Sequence, residues 1–330
     1  MDMNLRTTFD IVPFSQKITY NDSVLFVGSC FASAIGSQMI MGRMPVMINP
    51  AGVVYNPVSV CNTLDTIIDE HEYGKDDLYC HDGTYLSFNH YTDFSSYDSE
   101  KVIEKINRNS REALRFLKNC RFLFITFGTA RVYKWKKSGK VVSNCHKIPA
   151  DQFNFELLTV RDIVNLWEQQ LDKLHSIFPK LNIIFTISPV RHWKDGAHGN
   201  QISKSILFLA VEELMHHPAS PQYFPAYELV MDDLRDYRFY SDDMLHLSTV
   251  AINYIWDAFS NCYMEKMTLN LWKEVDKISK ACKHRLLAGS IGQINDFADR
   301  MLKQIAEVEV KVPSIDLSEE RHYFKSLLKK

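Results

Sequence analysis

The chain has 330 residues, of which 46% are hydrophobic and 24% charged, and its formal net charge is −2. This balance is typical of a globular protein and provides no general attraction to nucleic acid or to an anionic membrane. The N-terminus lacks the pattern of a signal peptide, no apolar run is long enough to span a membrane, and the seven scattered cysteines include no C-x-x-C pair. We therefore expect a cytoplasmic protein with reduced thiols, no nucleic-acid partner and no membrane span.

Continuous apolar runs predict buried strands of a mainly parallel sheet. They lie at residues 24–27, 122–127, 183–187 and 227–231, with 46–48 or 53–55 as a candidate fifth. Helical patterns alternate with these runs and cover residues 30–39, 57–68, 99–119, 159–178 and 200–217. Asn56 before Pro57 predicts one helix start, and Thr159 with Asp162 predicts a capping box at another. The alternation predicts a three-layer α/β/α sandwich.

Two segments that interrupt the alternation of strands and helices have the sequence pattern of β-hairpins. "LYCHDGTYLSF" turns at Asp82-Gly83, and "RVYKWKKSGKVVS" turns at Ser138-Gly139. From about Met264 onward the chain is charge-rich and helical in pattern. We therefore predict an α/β domain with hairpin insertions over residues 1–262 and a helical extension over residues 263–330. The extension is a candidate surface for a homo-oligomer.

The stretch "LFVGSCFASAIGSQM" places two nucleophilic side chains at the end of the first strand. Gly28 ends the apolar run, Ser29 and Cys30 follow, and a helix begins. Unpaired N–H groups and the positive end of the helix dipole lower the pKa of a thiol and can hold an oxyanion. In the alternative interpretation, Ser29 caps the helix and Cys30 is a small buried apolar residue.

A second stretch, "YSDDMLHLSTVAINYIWDAF", supplies a candidate base. Asp243 and His246 lie three residues apart in a loop before a helix that Ser248 caps. A carboxylate in this position can bind one ring nitrogen while the other acts as general base. Asp242 is a competing candidate for the orienting carboxylate.

At these positions the chain resembles the GSCFA family. "VGSCFAS" matches the motif that names the family, and "NPAGVVYNP", "FITFGTARVY", "SNCHKIPADQF", "TISPVRHWKDG" and "DMLHLS" resemble its other blocks. The resemblance extends from about residue 6 to about residue 258. That family is similar to the SGNH, or GDSL-like, hydrolases, which implies a flavodoxin-like sheet and acyl-ester chemistry.

The resemblance also implies roles for individual residues. Gly28-Ser29-Cys30 corresponds to the nucleophile block, with Cys30 in the place of the serine. Gly52 corresponds to the second block, Asp243 and His246 correspond to the fourth, and the third block corresponds to Gly128-Thr129-Ala130-Arg131. Ala130 stands where those enzymes have an asparagine. The oxyanion hole would then use the N–H groups of Cys30 and Gly52, with help from Thr129, Asn56 or Arg131.

Further polar residues remain open in role. Arg191, His192, Lys194 and His198 follow the third strand and either hold an anionic substrate or form a solvated loop. His146 is a second candidate base, or a structural or pocket-lining residue. No glycine-rich phosphate loop and no compact set of metal ligands is present, so we expect neither a nucleotide cofactor nor a metal.

The sequence therefore favours an esterase or acyltransferase that acts on acyl esters or thioesters of a small molecule or glycan. Cys30, or else Ser29, would be the nucleophile, with His246 and Asp243 as base and orienting carboxylate. The alternative is a non-catalytic module that binds an anionic carbohydrate or acyl ligand.

Overall fold

A computed structural model describes residues 6–283 and 291–328. The strands are β1 Ser23–Gly28, β2 Val46–Ile48, β3 Tyr79–His81, β4 Thr84–Leu86, β5 Cys120–Phe127, β6 Arg131–Trp135, β7 Val141–Val142, β8 Phe153–Leu157, β9 Asn182–Ile187 and β10 Gln222–Phe224. The α-helices are α1 Cys30–Met41, α2 Pro57–Ile68, α3 Ser99–Leu117, α4 Val160–Ile177, α5 Gly196–Leu214, α6 Ala226–Glu228, α7 Thr249–Tyr263, α8 Lys266–Lys283, α9 Ile291–Lys311 and α10 Ser318–Leu327.

Five strands form a central parallel sheet in the order β10-β9-β5-β1-β2. Counted along the chain, its members follow the flavodoxin-like order 2-1-3-4-5. Val27 is paired with Ile125 of β5, and Ile125 is paired in turn with Phe185 of β9. The strand order reverses between β1 and β5, which is where open α/β sheets bind ligands at their carboxyl edge.

Helices cover both faces of this sheet. Alternate residues of β1, β5 and β9 pack into one core with α2, α3, α4 and α5, around the fully buried Trp167. On the opposite face Phe26 stacks on Phe124, with ring centroids 4.9 Å apart. Gly36 of α1 lies against Phe26 and Ile48, which leaves no room for a larger side chain. The prediction of a three-layer α/β sandwich is therefore confirmed.

The predicted helix caps are also present. The Asn56 side chain accepts the Ser59 N–H at 2.8 Å, with Pro57 at the first helical position. Thr159 and Asp162 form the reciprocal capping box that opens α4. Both caps could be predicted from the sequence because a cap involves only residues three positions apart.

One strand prediction was wrong. Residues 227–231 are helical, in α6 and a π-helical turn at Leu229–Asp233, and the edge strand is β10 instead. Pro225 follows β10 directly and cannot donate to a sheet ladder, while a short apolar run does not itself distinguish strand from helix. Of the two candidates for a fifth strand, 46–48 is correct and 53–55 is not.

The two predicted hairpins are confirmed, and one belongs to a larger sheet. β3 pairs with β4 around Asp82-Gly83. β6 pairs with β7 and also with β8, which gives a three-stranded antiparallel sheet in the order β7-β6-β8. β8 was not predicted from the sequence. It is partly exposed, as is usual for an edge strand.

The chain divides into two compact units. The first comprises Met1–Ile11, Ser23–Gly36 and Met47–Ile255, and the second comprises Val12–Asp22, Ser37–Val46 and Trp256–Lys330. Within the second unit, the guanidinium of Arg43 binds the buried carboxylate of Glu320 at 2.6 Å. The C-terminal helical part is confirmed by α8, α9 and α10, although residues 284–290 and 329–330 lie outside the described residues.

The boundary at residues 262 and 263 stays a prediction. None of the described helices combines the length and the apolar character that crossing a bilayer requires.

Candidate active site

The nucleophile turn depends on a glycine at the end of β1. Gly28 has φ +142°, and a Cβ at this position would lie 2.2 Å from the carbonyl oxygen of Thr126 on β5. Its N–H donates to the Asn49 side chain at 2.8 Å. Only glycine lets β1 approach β5 this closely and then turn sharply into α1. Asn49, which the sequence analysis did not single out, holds this turn from the end of β2.

Ser29 and Cys30 occupy different environments. Ser29 is 1% exposed, and its hydroxyl accepts the Phe31 N–H at 3.3 Å, while its carbonyl accepts the Ala32 N–H at 2.9 Å. Ser29 is therefore the N-cap of α1. Cys30 is the first residue of α1 and its side chain is partly exposed. Of the two side chains, the thiol is the one left accessible.

The thiol of Cys30 has a raised pKa. Burial is the largest cause, and the N–H groups of Phe31 and of Cys30 itself, followed by Lys204, act in the opposite direction, while Asp243 raises the pKa further. The N–H groups at the start of α1 lower the thiol pKa as expected, but desolvation outweighs them and the nearby lysine, so the net shift is upward. A resting Cys30 is a neutral thiol that needs a base.

Asp243 and His246 form the pair that the D-x-x-H spacing predicts. The Asp243 carboxylate lies 2.6 Å from Nδ1 of His246, and its other oxygen accepts the N–H groups of Leu245 and His246, each at 2.9 Å. The hydrogen bond to His246 is the main cause that lowers the pKa of Asp243 to about 2. The carboxylate thus fixes the ring, with Nε2 on the side away from it.

The N–H groups of the third block are already engaged within the fold. Gly128 and Thr129 donate their N–H groups to the carbonyl of Tyr55, at 2.7 and 3.1 Å. The Thr129 hydroxyl lies 2.9 Å from the Ser203 hydroxyl, which also accepts the Ala130 N–H at 2.8 Å. In this geometry the N–H groups of Gly128, Thr129 and Ala130 are all used within the fold.

Gly52 and Asn56 also use their donors internally. The Gly52 N–H donates to the Asn49 carbonyl at 2.7 Å, and the Asn56 amide donates to the Ser59 hydroxyl at 3.0 Å. Gly52 has φ +83° and would place a Cβ only 2.2 Å from that of Tyr91. At the rim of the site, Gly52 therefore allows a backbone conformation that other residues rarely adopt, and Asn56 caps α2.

A buried lysine, which the sequence analysis missed, joins two strand ends at the site. Lys204 of α5 is fully buried, and Nζ donates to the carbonyls of Gly128 at 2.7 Å and Ser188 at 2.5 Å. Burial lowers the pKa of Lys204 to about 7, against the opposing effect of Cys30. The sequence did contain a signal that Lys204 is buried. Lys204 lies on the same helix face as the apolar Leu207 and Val211, which follow it by three and seven residues.

Arg191 and His192 follow β9 at the same edge of the sheet. The His192 N–H donates to the Asn200 side chain at 2.9 Å, and its ring stands edge-on to Tyr55 with centroids 5.4 Å apart. Burial lowers the pKa of His192 to about 4, so the ring is neutral at neutral pH. Among the described residues, Nε of Arg191 and Nδ2 of Asn200 are buried donors without a hydrogen-bond partner. Such donors are costly in a packed interior and mark a region that is not purely structural.

His146 has a different setting. Its Nε2 lies 2.9 Å from the Ser87 carbonyl and its Nδ1 lies 3.4 Å from the Ser95 hydroxyl, and burial lowers the pKa of the ring. Both ring nitrogens are thus occupied by neighbouring segments, and the structure does not bring His146 into the group around Cys30.

Two cavities flank this group. One of about 520 Å³ is lined by Tyr55, Asn56, Thr129, Arg131, His192 and Lys194 among others. The second, of about 590 Å³, is lined by Arg191 and Asp243 together with apolar and aromatic side chains. Both volumes are typical of small-molecule sites. Within the described part of the chain, no three His, Cys, Asp or Glu side chains group as metal ligands would.

The fold and the site define an α/β protein with a thiol turn, a buried lysine and an Asp–His pair at the carboxyl edge of a flavodoxin-like sheet. A family model described as "GSCFA family" matches residues 23–259, and one described as "GSCFA domain protein, C-terminal domain" matches residues 275–330. The chain therefore belongs to the GSCFA family.

Comparison with curated proteins finds no match. Among solved structures, the chain is similar to a protein described as a "putative platelet activating factor from Streptococcus pneumonia", at 14% identity and a TM-score of 0.38. The similarity covers 73% of this chain and 83% of that one.

Proposed function

We propose that this protein transfers or hydrolyses acyl groups of esters or thioesters, with Cys30 as the nucleophile. The observation that carries the proposal is the geometry of the Asp–His pair. Asp243 holds His246 by Nδ1 at 2.6 Å, and its carboxylate is near enough to Cys30 for its charge to raise the thiol pKa. The resemblance to SGNH hydrolases supports the same assignment of roles.

In the proposed reaction His246 moves the proton. Nε2 takes the thiol proton while Sγ of Cys30 attacks the acyl carbonyl, which forms a C–S bond. The C–O or C–S bond to the leaving group then breaks, and the imidazolium returns its proton to that group. Water or an acceptor alcohol next gives its proton to Nε2 and attacks the thioester. The C–S bond breaks and the thiol is restored.

The oxyanion donors differ from those that the family resemblance implied. The N–H groups of Gly52, Gly128 and Thr129 are bonded within the fold. The N–H of Cys30 lowers the pKa of its own thiol, and we assign this N–H as the first oxyanion donor. Because one missing donor costs about 10²–10³ in rate, the proposal favours an activated acyl donor such as a thioester over an unactivated ester.

A second candidate function is ligand binding without turnover. The observation that favours it is the same engagement of Gly52, Gly128 and Thr129, since a turn whose donors are all used suits a rigid binding surface. Here the cavities beside Arg191 and His192 would hold an anionic or acylated ligand without reaction.

Hydrolysis of p-nitrophenyl acetate separates the two functions. We expect Cys30→Ala and His246→Ala to lose at least about 100-fold in kcat/KM, in line with the usual contribution of a general base. Cys282→Ala removes a second partly buried thiol, on α8, and is the matched control, which should keep full activity. Ser29→Ala should keep the activity and lose about 1 kcal/mol of stability, as expected for an N-cap. Full activity of Cys30→Ala would refute the proposal, and no turnover in the wild type would favour the binding module.

A further inference from the structure

The cavity beside Tyr55 and His192 extends over the three-stranded sheet β7-β6-β8. We refer to this cavity of about 520 Å³ as the β6–β8 chamber. It is lined by side chains of β6 and β8, by the segment after β7, and by the loop that contains Lys194. The sheet that the hairpin insertion builds therefore forms a wall of a cavity at the candidate active site.

Aromatic rings provide flat surfaces in this wall. Tyr133 of β6 and Phe155 of β8 pack with ring centroids 4.7 Å apart, and Phe155 remains 45% exposed. Phe153 contacts Tyr133 with centroids 6.2 Å apart. The exposed part of the Phe155 ring borders the cavity and can pack against a flat or puckered ring.

Cations are placed among these rings. The guanidinium of Arg131 lies 5.2 Å from the centre of the Phe155 ring, and Nζ of Lys194 donates to the Tyr133 hydroxyl at 3.2 Å. Lys147 is a third cation in the lining. Asp195 is the single carboxylate among the described lining residues, and it lies 3.5 Å from Nε of Arg131. Three cations against one carboxylate leave the chamber with a surplus of two positive charges.

Hydroxyl and amide groups complete the lining. Within the described residues, the buried Ser143 hydroxyl has no hydrogen-bond partner, and the Asn144 amide next to it contacts the Thr92 hydroxyl at 3.2 Å. The Thr92 hydroxyl and the Asn144 amide, which are not buried, can exchange hydrogen bonds with a ring that carries several hydroxyls. The lining therefore fits a polar ring better than an apolar one.

The chamber is also close to the nucleophile. Tyr55 is part of its lining, and its pKa is raised to about 12 by burial first and by the nearby Cys30 second. His192, on the other side, lies against Gly128 at the end of β5. A group bound in the chamber would thus adjoin the thiol.

From this cavity, its aromatic walls and its surplus of cations, we propose that the β6–β8 chamber binds a sugar ring that carries a carboxylate or phosphate. This inference rests on the proposed function, in which the sugar is the alcohol part of the acyl ester or the acceptor of the acyl group. Binding itself needs no reaction at Cys30, so the two proposals can fail separately.

The experiment measures binding in the Cys30→Ala protein, where no acyl-enzyme can form. Cys145 lines the chamber and serves as reporter, and the exposed Cys80 is not among the lining residues and serves as internal control. The rate of alkylation of each thiol by iodoacetamide is followed by peptide mass mapping, with glucuronate or glucose 6-phosphate added. Because burial raises the pKa of Cys145 to about 11, the reaction is run at mildly alkaline pH.

We expect both anionic sugars to slow alkylation of Cys145 and to leave Cys80 unchanged. Equal protection by glucose would refute the role of the charge. Equal protection by inorganic phosphate would refute the role of the ring, and protection by phenyl phosphate alone would refute the sugar. No protection by any probe would refute the proposal while leaving the hydrolysis of p-nitrophenyl acetate by wild-type protein as a separate test of Cys30.

Variants locate the binding. Lys194→Met should weaken protection about tenfold, as expected for the loss of one charge-assisted hydrogen bond. Lys140→Met, the same change at an exposed position of the β6–β7 hairpin and outside the chamber lining, is the matched control and should have no effect. Phe155→Leu removes a stacking surface on an exposed edge and should also weaken protection. Unchanged protection in both Lys194→Met and Phe155→Leu would place the ligand elsewhere and overturn the proposal.

Discussion

The buried Lys204 makes the stability of this protein depend on pH in a way that one substitution should abolish. Burial lowers its pKa from 10.5 to about 7. In the unfolded chain the amine keeps its proton up to about pH 10.5, whereas in the folded protein it releases the proton near pH 7. Between these values the unfolded state binds more protons, so the free energy of unfolding rises with pH.

The whole effect amounts to about 5 kcal/mol, at 1.36 kcal/mol for each pH unit between the two pKa values. About 2–3 kcal/mol of it falls between pH 7 and pH 9. Lys204→Met has no titrating group at this position, so it lacks this rise. It also leaves the carbonyls of Gly128 and Ser188 without their donor, at about 1–3 kcal/mol each. The loss of these hydrogen bonds does not depend on pH, so it lowers the free energy of unfolding by the same amount at every pH.

Urea unfolding at several pH values from 6 to 9 measures the difference between wild type and Lys204→Met. We expect the wild-type advantage to grow by about 2–3 kcal/mol from pH 7 to pH 9, since all other titrating groups are common to both proteins. If Lys204→Met does not fold, Lys204→Gln keeps a donor and still does not titrate. The exposed Lys140→Met should run parallel to the wild type. Parallel curves for the Lys204 variant would refute the reasoning.

Two further predictions concern the rim of the site and the Asp–His pair. Gly52→Ala should lower the free energy of unfolding by about 2–4 kcal/mol, because φ is +83° and the new Cβ would lie 2.2 Å from that of Tyr91. Thermal melts compare this variant with Gly74→Ala, a position where nothing lies within 4 Å of the new Cβ. Equal melting temperatures of the two variants would contradict the prediction. Asp243→Asn should lower kcat by about 10²–10⁴ because the ring loses the carboxylate that orients His246. Its urea midpoint should stay near that of the wild type, since the pair is exposed, and an unchanged kcat would contradict the role of the pair.

Features that depend on short sequence separations could be predicted from the sequence. The Asn56 and Thr159 caps, the Asp82-Gly83 turn and the Asp243–His246 pair each involve residues within a few positions of one another. The continuous apolar runs also predicted the central sheet, because its strands are buried on both faces. The sequence therefore determined the class of fold and the arrangement of the nucleophile turn.

Features that depend on long-range packing could not be predicted in this way. The direction of the Cys30 pKa shift depends on how deeply α1 is buried, which no local pattern reports. The engagement of the Gly128 and Thr129 N–H groups depends on the carbonyl of Tyr55, far earlier in the chain, which a family motif does not specify. A motif identifies residue types at the site, whereas their free hydrogen-bonding groups follow from the tertiary fold.

The most direct test of the central claim is the mass of the intact wild-type protein after brief exposure to an activated acetyl ester, followed by peptide mapping. We predict one acetyl group on Cys30, which turns over in the wild type and forms much more slowly in His246→Ala, because that variant lacks the base for the thiol. Acetylation of Ser29 with Cys30 unmodified would contradict the assignment of the thiol. The absence of any adduct, with slow alkylation of Cys30, would contradict acyl transfer by this site.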